Sequence, residues 1–283
     1  MKLSTEIKIQ QQQIMSRESR FLLIGSCFAE NIGRNLKDFR FEGIANPFGI
    51  MFNPMSIAQC LEKLLDGNNF EENDLFFYNN LWHSDLHHGS FSSYDKNEAL
   101  GKINSSFCAA KNLLPKTDFL ILTFGSAQVY LKEGRVAANC HKQPENIFTR
   151  KYLCVEEIVG KYVDLFEKIL KINENIKIIL SVSPVRYLRD GAHQNSLNKA
   201  TLLLAVECLT KIFPQIIYFP AYEILLDELR DYRFFADDLI HPSPLAEKIV
   251  WQRFSETFFT EETKNSLSEI EKENKFAAHK PLH

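Results

Sequence analysis

Two short stretches near opposite ends of the chain carry residue types suited to acyl chemistry. Gly25-Ser26-Cys27-Phe28-Ala29 places a hydroxyl beside a thiol, and Asp238 precedes His241 by three residues. This Asp-x-x-His spacing lets the carboxylate accept from the imidazole Nδ1–H, which fixes the tautomer and leaves Nε2 free as a general base. A nucleophile, a base and an orienting carboxylate together predict nucleophilic acyl transfer. The candidate catalytic residues are therefore Cys27, Ser26, His241 and Asp238.

The first stretch sits where a predicted strand turns into a predicted helix. Phe21 to Ile24 is a continuous apolar run that Gly25 closes, which is typical of a buried strand. Apolar residues then recur at helical spacing from Phe28, and a polar face carries Asn31, Arg34, Asn35 and Lys37. The first N–H groups of a helix and its dipole favour an anion, so we expect a lowered pKa for the thiol and an oxyanion held by the Ser26 and Cys27 amides. Ser26 as a plain helix N-cap before a buried cysteine is the structural alternative.

The chain resembles the GSCFA family, within the broader SGNH/GDSL-like hydrolase superfamily. The resemblance runs from about Lys2 to Phe259 and implies one domain over residues 1–259, with an insertion at about 71–93 and a charged tail over 260–283. Besides the pentapeptide and the Asp238-x-x-His241-Pro-Ser step, it rests on Asn46-Pro-Phe-Gly49, Thr123-Phe-Gly-Ser-Ala-Gln-Val-Tyr130, Asn139-Cys-His-Lys-Gln-Pro144, Ser181-Val-Ser-Pro-Val-Arg186 and Phe219-Pro-Ala-Tyr-Glu223.

The resemblance also implies roles for individual residues. Aligned with the superfamily signature Gly-Asp-Ser, Cys27 takes the nucleophile's position, although a shift of one residue in the turn would restore Ser26. Gly49 and Gly125 are the expected oxyanion glycines. Superfamily enzymes usually carry Gly-x-Asn where this chain has Gly125-Ser126-Ala127, so the usual asparagine donor is absent. Either Gln128, Asn139 or His141 replaces that donor, or the oxyanion site relies on backbone amides.

Polar residues near the predicted strand ends are the candidates for substrate binding. A hairpin through Glu133-Gly134 should return the 139–144 segment toward the site, and Arg186 follows a buried strand, where it could anchor a carboxylate or phosphate. The 71–93 insertion is rich in aromatic and histidine residues and could form a lid. The resulting candidates are Asn46, Gln128, His141, Lys142, Arg186 and His87.

Strands that alternate with helices predict a three-layer α/β fold. We expect a parallel sheet of about five strands in the flavodoxin-like order 2-1-3-4-5, with right-handed crossovers and the site at the carboxyl ends of the strands. Further expectations are an edge strand over Leu3–Ile9, a strand over Phe41–Ile50 and a loop over 190–195. The tail is predicted to be a fraying surface helix or disordered.

Composition narrows the class of protein. The 283 residues are 45% apolar, which suffices for a full core, and the net charge of −3 gives no support for nucleic-acid binding. Without an 18-residue apolar run or an apolar signal core, we expect a cytoplasmic protein that binds no membrane. The scattered cysteines are expected to be reduced and mostly buried.

These observations leave three hypotheses about function. The first is a hydrolase or acyltransferase for ester bonds of a small or carbohydrate-like substrate, without a cofactor or metal ion. The second is a catalytically silent binding protein that keeps the fold, which the absent asparagine supports. The third is a metal-dependent enzyme using His83, His87, His88 and His141, although their spacing matches no closed zinc motif. The sequence does not specify the acyl group, the acceptor or the oligomeric state.

Overall fold

The computed structural model describes residues 5–278. In chain order, its strands are β1 (Arg20–Gly25), β2 (Glu42–Ala45), β3 (Phe76–Tyr78), β4 (Leu81–His83), β5 (Phe119–Phe124), β6 (Gln128–Lys132), β7 (Arg135–Ala137), β8 (Phe148–Tyr152), β9 (Lys177–Val182) and β10 (Ile216–Tyr218). Its helices are α1 (Cys27–Asp38), α2 (Pro54–Asp66), α3 (Lys96–Leu113), α4 (Val155–Ile172), α5 (Gly191–Ile212), α6 (Ala221–Glu223, followed by a π-helical turn Ile224–Glu228), α7 (Pro244–Phe258) and α8 (Glu261–Ala278). Short 3₁₀ turns cover Glu72–Asp74, Gly89–Phe91, Leu114–Lys116, Glu145–Ile147 and Tyr232–Phe234.

The central sheet has five strands in the order β2-β1-β5-β9-β10, and every neighbouring pair is parallel. This confirms the predicted order 2-1-3-4-5. Gly25 pairs with Thr123, and Thr123 pairs with Ser181, so the carboxyl ends of β1, β5 and β9 are level with one another. The loops that leave these ends therefore start at one edge of the sheet, where open α/β sheets place their sites.

Two apolar cores cover the faces of this sheet and confirm the three layers. Successive side chains of a strand point to opposite faces. Leu22 and Ile24 accordingly belong to the core shared with α2, α3, α4 and α5, whereas Phe21 and Leu23 belong to the core shared with α1 and α7. Because both faces are covered, β1 and β5 carry continuous apolar runs instead of an alternating pattern.

The predicted edge strand at the N-terminus is wrong for the residues that the structure describes. Residues 5–9 lie outside the sheets, and the rest of that predicted strand falls outside the described residues. The Ile7 N–H donates to the Glu228 carboxylate at 3.0 Å, and the Arg253 guanidinium donates to the Ile7 carbonyl. Side chains from the π-helical turn and α7 thus satisfy the backbone groups that a neighbouring strand would otherwise bind.

Two other boundaries differ from prediction because of local backbone geometry. β2 ends at Ala45, since Asn46 adopts a positive φ of 48° that breaks the extended conformation. α5 begins at Gly191, so most of the predicted 190–195 loop is already helical. Within the predicted tail, residues 261–278 form α8, which buries Leu267 and Ile270, and residues 279–283 lie outside the described residues.

Residues 71–93, the segment predicted to be an insertion, contain a hairpin of β3 and β4. Asn79 and Asn80 both have positive φ, as a tight hairpin turn with right-handed strand twist requires. A second small sheet has the order β7-β6-β8, in which the sequence predicted only the β6–β7 hairpin. Lys132 of β6 pairs with Asp85 at 3.0 Å and thereby joins this small sheet to the insertion.

All six cysteines are free thiols, and Cys60 alone among them is buried, so the expectation of mostly buried cysteines is wrong. None of the helices in the described part of the chain combines the length and hydrophobicity that a membrane crossing requires.

Candidate active site

The turn after β1 separates the two candidate nucleophiles. Ser26 is the N-cap of α1, its Oγ accepts from the Phe28 N–H at 3.3 Å, and it is 2% exposed. Cys27 is the first residue of α1, is partly exposed and lines a cavity at the carboxyl edge of the sheet. The Ser26 hydroxyl therefore caps α1, whereas Cys27 borders the cavity.

The loop before α7 holds Asp238 against His241. One carboxylate oxygen, Oδ2, lies 2.6 Å from His241 Nδ1, and Oδ1 accepts from the N–H groups of Ile240 and His241 at 2.9 and 3.0 Å. The backbone N–H of His241, then its side chain and the Ile240 N–H, lower the pKa of Asp238 to about 2. Asp238 is thus a carboxylate at neutral pH and orients the imidazole.

Cys27 and His241 come from opposite ends of the chain, yet they line the same small cavity. It encloses about 40 Å³, and its walls come from α1, the segment after β9, the Asp238/His241 loop and α7. Its lining residues are Cys27, Phe28, Asn31, Pro184, Val185, His241, Pro242, Glu247 and Val250. The thiol and the imidazole share this space without a hydrogen bond between them, which is common in substrate-free sites.

The pKa of the Cys27 thiol is raised, opposite to the effect expected of a helix N-terminus. Burial is the main cause, and the Glu30 carboxylate adds to it, while the backbone amide of Cys27 partly offsets both. Sulfur at this position is therefore a neutral thiol at rest. A nucleophilic role then requires a base within the cavity, and His241 is the imidazole that lines it.

The two predicted oxyanion glycines do not have free amides, which corrects that prediction. The Gly49 N–H donates to the Asn46 carbonyl at 2.7 Å, and the Gly125 N–H donates to the Phe52 carbonyl at 2.8 Å. Gly49 is required for another reason: its φ is +82°, and a Cβ there would lie 2.2 Å from the His88 Cβ.

Among the turn amides, Cys27 offers the free donor. The Ser26 N–H donates to the Thr123 carbonyl at 3.3 Å, so it too is occupied. The Cys27 N–H donates to no other residue among residues 5–278, as expected for the first residue of a helix. Ala127, at the position of the usual asparagine, is buried at 1% exposure and offers no donor.

Two of the predicted substrate-binding residues instead support the framework. Asn46 accepts from the Gly25 N–H at 2.9 Å and donates to the Glu30 carboxylate at 2.8 Å, so it ties the end of β2 to the turn between β1 and α1. Gln128 is 4% exposed and donates to Asp190 at 2.9 Å. Neither side chain is available to a substrate.

The predicted substrate-binding histidines are also structural. His87 is fully buried between Phe48 and Phe70, at ring distances of 5.1 and 4.8 Å. His141 packs 4.4 Å from the His83 ring, and its Nε2 lies 2.9 Å from the Ser84 carbonyl oxygen. Burial lowers the pKa of His87 to about 3 and that of His141 to about 4. These neutral rings hold the insertion together.

The histidines do not form a metal site either. His83 has both ring nitrogens engaged, by Ser92 Oγ at 2.7 Å and the Tyr78 carbonyl at 3.1 Å. Residues 5–278 contain no group of three or more histidine, cysteine, aspartate or glutamate side chains placed to hold a metal ion. None of the insertion residues lines the cavity beside Cys27, whereas several line a separate, more open groove of about 450 Å³ against α2 and the β6–β7 hairpin.

Of the remaining two candidates, Arg186 contacts the Asp238/His241 loop. Its N–H donates to the Ile240 carbonyl at 3.3 Å, and its guanidinium lies 5.4 Å from the centre of the Phe235 ring. Lys142 is exposed, and its carbonyl accepts from Tyr78 of the insertion hairpin at 3.5 Å. Neither residue lines the cavity.

The sequence did not predict a place near the site for two polar residues. Asn31, predicted on the polar face of α1, is 6% exposed and lines the cavity. Lys199 of α5 is 1% exposed and donates to the carbonyls of Gly125 and Ser183, each at 2.7 Å. Burial lowers the pKa of Lys199 to about 7. This ammonium ties the ends of β5 and β9 together just before the Pro184-Val185 wall.

Comparison with known proteins adds a family and several distant structures. The model of the GSCFA family matches residues 20–254. None of the curated proteins matches the sequence.

Similar solved structures include a carbohydrate esterase family 3 protein from Talaromyces cellulolyticus, with 8% identity, coverage of 90% of this chain and 99% of that one, and a TM-score of 0.39. A family 3 carbohydrate esterase from Clostridium thermocellum has 9% identity, 89% and 98% coverage, and a TM-score of 0.40. A family two carbohydrate esterase from the same organism, in complex with cellohexaose, has 10% identity, 90% and 66% coverage, and a TM-score of 0.42. Values this low do not transfer an activity to this chain.

Proposed function

This chain belongs to the GSCFA family, and we propose that it is a hydrolase or acyltransferase acting on ester or thioester bonds through a covalent intermediate on Cys27. The observation that carries the proposal is the shared cavity of Cys27 and His241, with Asp238 bonded to the far side of the imidazole. Segments at opposite ends of the sequence supply a thiol, an oriented base and space for a small group. Those are the parts that nucleophilic acyl transfer needs.

The chemistry follows from the protonation states of these groups. The Asp238 carboxylate holds the proton on Nδ1, so Nε2 of His241 accepts the proton of the Cys27 thiol as sulfur attacks the acyl carbonyl. When the tetrahedral intermediate collapses, the carbon–oxygen or carbon–sulfur bond of the substrate breaks. The imidazolium then protonates the leaving alcohol or thiol, and an acyl group remains as a thioester on Cys27. Water or an acceptor alcohol reverses the sequence and releases the acyl group.

The cavity favours a short acyl group. A cavity needs roughly 10–15 Å³ to hold one water. The observed volume of about 40 Å³ therefore accommodates a group of about three non-hydrogen atoms, the size of an acetyl group. Its mainly apolar wall, which includes Phe28, Val185 and Val250, suits a methyl group.

Turnover of short-chain nitrophenyl esters, beside an assay of acyl-CoA consumption, tests the proposal. We expect activity that Cys27→Ala and His241→Ala abolish, and that Ser26→Ala reduces only as far as it weakens the helix cap. Cys108→Ala is the matched control, because Cys108 is also a partly exposed free thiol but does not line the cavity. Full activity in Cys27→Ala would refute the proposed nucleophile.

A specific observation favours a second candidate, a binding protein that has lost catalysis. The amides of Gly49 and Gly125 are occupied by carbonyls, and Ala127 replaces the usual asparagine. Losing one oxyanion donor costs on the order of 3 kcal/mol of transition-state stabilisation. A silent protein would show no selective labelling of Cys27 or Ser26 by iodoacetamide or a fluorophosphonate. Labelling that His241→Ala suppresses would instead support the enzyme.

A further inference from the structure

Asn31 is a buried residue whose side-chain oxygen is hydrogen-bonded and whose side-chain nitrogen is not, within the part of the chain that the structure describes. Its Oδ1 accepts from the Asn35 Nδ2 at 3.1 Å, and the same Nδ2 donates to the Asn31 carbonyl at 2.9 Å. Because a backbone carbonyl can only accept, the Asn35 atom is a nitrogen, and the Asn31 atom that faces it must be the oxygen. The Nδ2 of Asn31 is therefore directed away from Asn35 and has no acceptor within residues 5–278.

The helix directs this free amide toward the nucleophile. Asn31 lies four residues after Cys27 on α1, so the two side chains share one face of the helix. Helical side chains lean toward the N-terminus, which brings Asn31 over the turn that begins with Cys27. Both residues line the same cavity, and Asn31 is 6% exposed. Its Nδ2, which Asn35 leaves unused, can therefore donate to a ligand oxygen that enters the cavity.

We propose, on the basis of the proposed acyl-transfer function, that Asn31 binds the carbonyl oxygen of the acyl group and replaces the donor that Ala127 lacks. Every ester or thioester that reaches the Cys27 sulfur brings a carbonyl oxygen beside it. The Cys27 N–H is one donor to that oxygen, and the Asn31 Nδ2 is the second. Asn35 is a positioning residue, because it holds the Asn31 amide in the orientation that presents Nδ2.

The test compares three variants at two positions on α1. Asn31→Leu removes the donor at similar volume, and Asn31→Ala, which also removes it, is a second variant should the leucine disturb folding. Asn35→Ala is the matched control, since it keeps the donor and removes only its support. Measurements are kcat and KM for nitrophenyl acetate, the rate of Cys27 alkylation by iodoacetamide, and the melting temperature.

We expect kcat to fall about 10²- to 10³-fold in Asn31→Leu, the range for loss of one oxyanion donor. KM and the alkylation rate should change less than about threefold, because alkylation needs the thiol and the base but forms no oxyanion. Asn35→Ala should lose less than about tenfold in kcat.

Three results would overturn the assignment of Asn31. One is wild-type kcat in both Asn31 variants. Another is an equal fall in kcat and in the rate of Cys27 alkylation, which would mean that Asn31 supports the Cys27 nucleophile instead of binding the carbonyl oxygen. Finally, a wild-type protein that turns over neither esters nor acyl-CoA would overturn the proposed function itself, and with it the ligand assigned to Asn31.

Discussion

Replacing Asp238 with asparagine probes the orientation of the base with little change in shape. The carboxylate accepts three hydrogen bonds, from His241 Nδ1 and from the N–H groups of Ile240 and His241. Asparagine has one acceptor oxygen, and the two backbone donors hold that oxygen in place. The amide NH₂ then faces Nδ1, so the imidazole must accept at Nδ1 and carry its proton on Nε2, where it can no longer act as a base.

The expected loss is large because the wrong tautomer removes the base entirely. The equivalent change in the serine-protease triad lowers kcat by about 10⁴ with the geometry intact. Cys27 depends on His241 at least as strongly, because burial raises the pKa of the thiol and leaves little thiolate without a base. We expect kcat in Asp238→Asn to fall by roughly 10³- to 10⁴-fold. The fold should remain, since both side chains of the pair are about half exposed, at 46% and 48%.

Steady-state kinetics with nitrophenyl acetate and the rate of Cys27 alkylation measure this effect, and melting temperature checks the fold. Asp237→Asn is the matched control, because Asp237 is the exposed neighbour in the same loop. Asp237→Asn should keep activity within about threefold. Activity above a tenth of wild type in Asp238→Asn, with the fold intact, would refute the role assigned to the carboxylate.

Three further predictions concern the cavity wall and two buried bases. Val185→Ala should shift the preferred ester from acetyl toward butyryl, because Val185 lines the small cavity and one methylene there is worth about 1–3 kcal/mol; the ratio of kcat/KM values measures this. His87 has a folded-state pKa of about 3 against an ordinary 6.5, so the unfolded chain binds the additional proton and stability falls as pH drops through that range, by up to about 1.4 kcal/mol per unit. Lys199 has a folded-state pKa of about 7 against 10.5, so stability should rise with pH across that range by up to about 1.4 kcal/mol per unit. Urea unfolding at several pH values measures both slopes. His87→Gln should reduce the acid slope, to which the lowered pKa of His141 also contributes, and Lys199→Met should flatten the alkaline slope.

A specific result would contradict each of these predictions. An unchanged chain-length preference in Val185→Ala would mean that the acyl group lies outside the cavity. His193→Gln, at an exposed histidine, is the matched control for His87→Gln. The account of His87 is wrong if this control flattens the slope as much as His87→Gln does. For Lys199, a wild-type alkaline slope that persists in Lys199→Met would assign it to another group.

The sheet could be predicted from the sequence because its signals are local. Continuous apolar runs closed by Gly25 and Gly125, and alternating strands and helices, specify buried parallel strands wherever the rest of the chain lies. The hairpin at Asn79-Asn80 was equally predictable, because its turn chemistry lies within two residues. By contrast, Ile7 is bound by Glu228 and Arg253, which are distant in sequence, so the apolar alternation there was mistaken for a strand.

In the candidate site, too, local features could be predicted from the sequence and long-range ones could not. The Asp238–His241 hydrogen bonds span three residues and follow from the spacing, and the Ser26 N-cap was one of the two alternatives for its turn. The prediction that Gly49 and Gly125 donate to the oxyanion was wrong, because their amides donate to carbonyls that only the folded loops bring near. Asn31 was assigned to solvent because helical periodicity places it beside charged residues, and only the packing of α7 against α1 encloses it.

The central claim is that Cys27 attacks the substrate carbonyl with His241 as its base. Trapping the acyl-enzyme tests this claim most directly. Protein mixed with excess nitrophenyl acetate is quenched in acid, and the acetylated residue is located by mass spectrometry. The account predicts one acetyl group on Cys27, removed by neutral hydroxylamine as a thioester is, and absent in His241→Ala. An acetyl group on Ser26, or turnover without any adduct on Cys27, would contradict it.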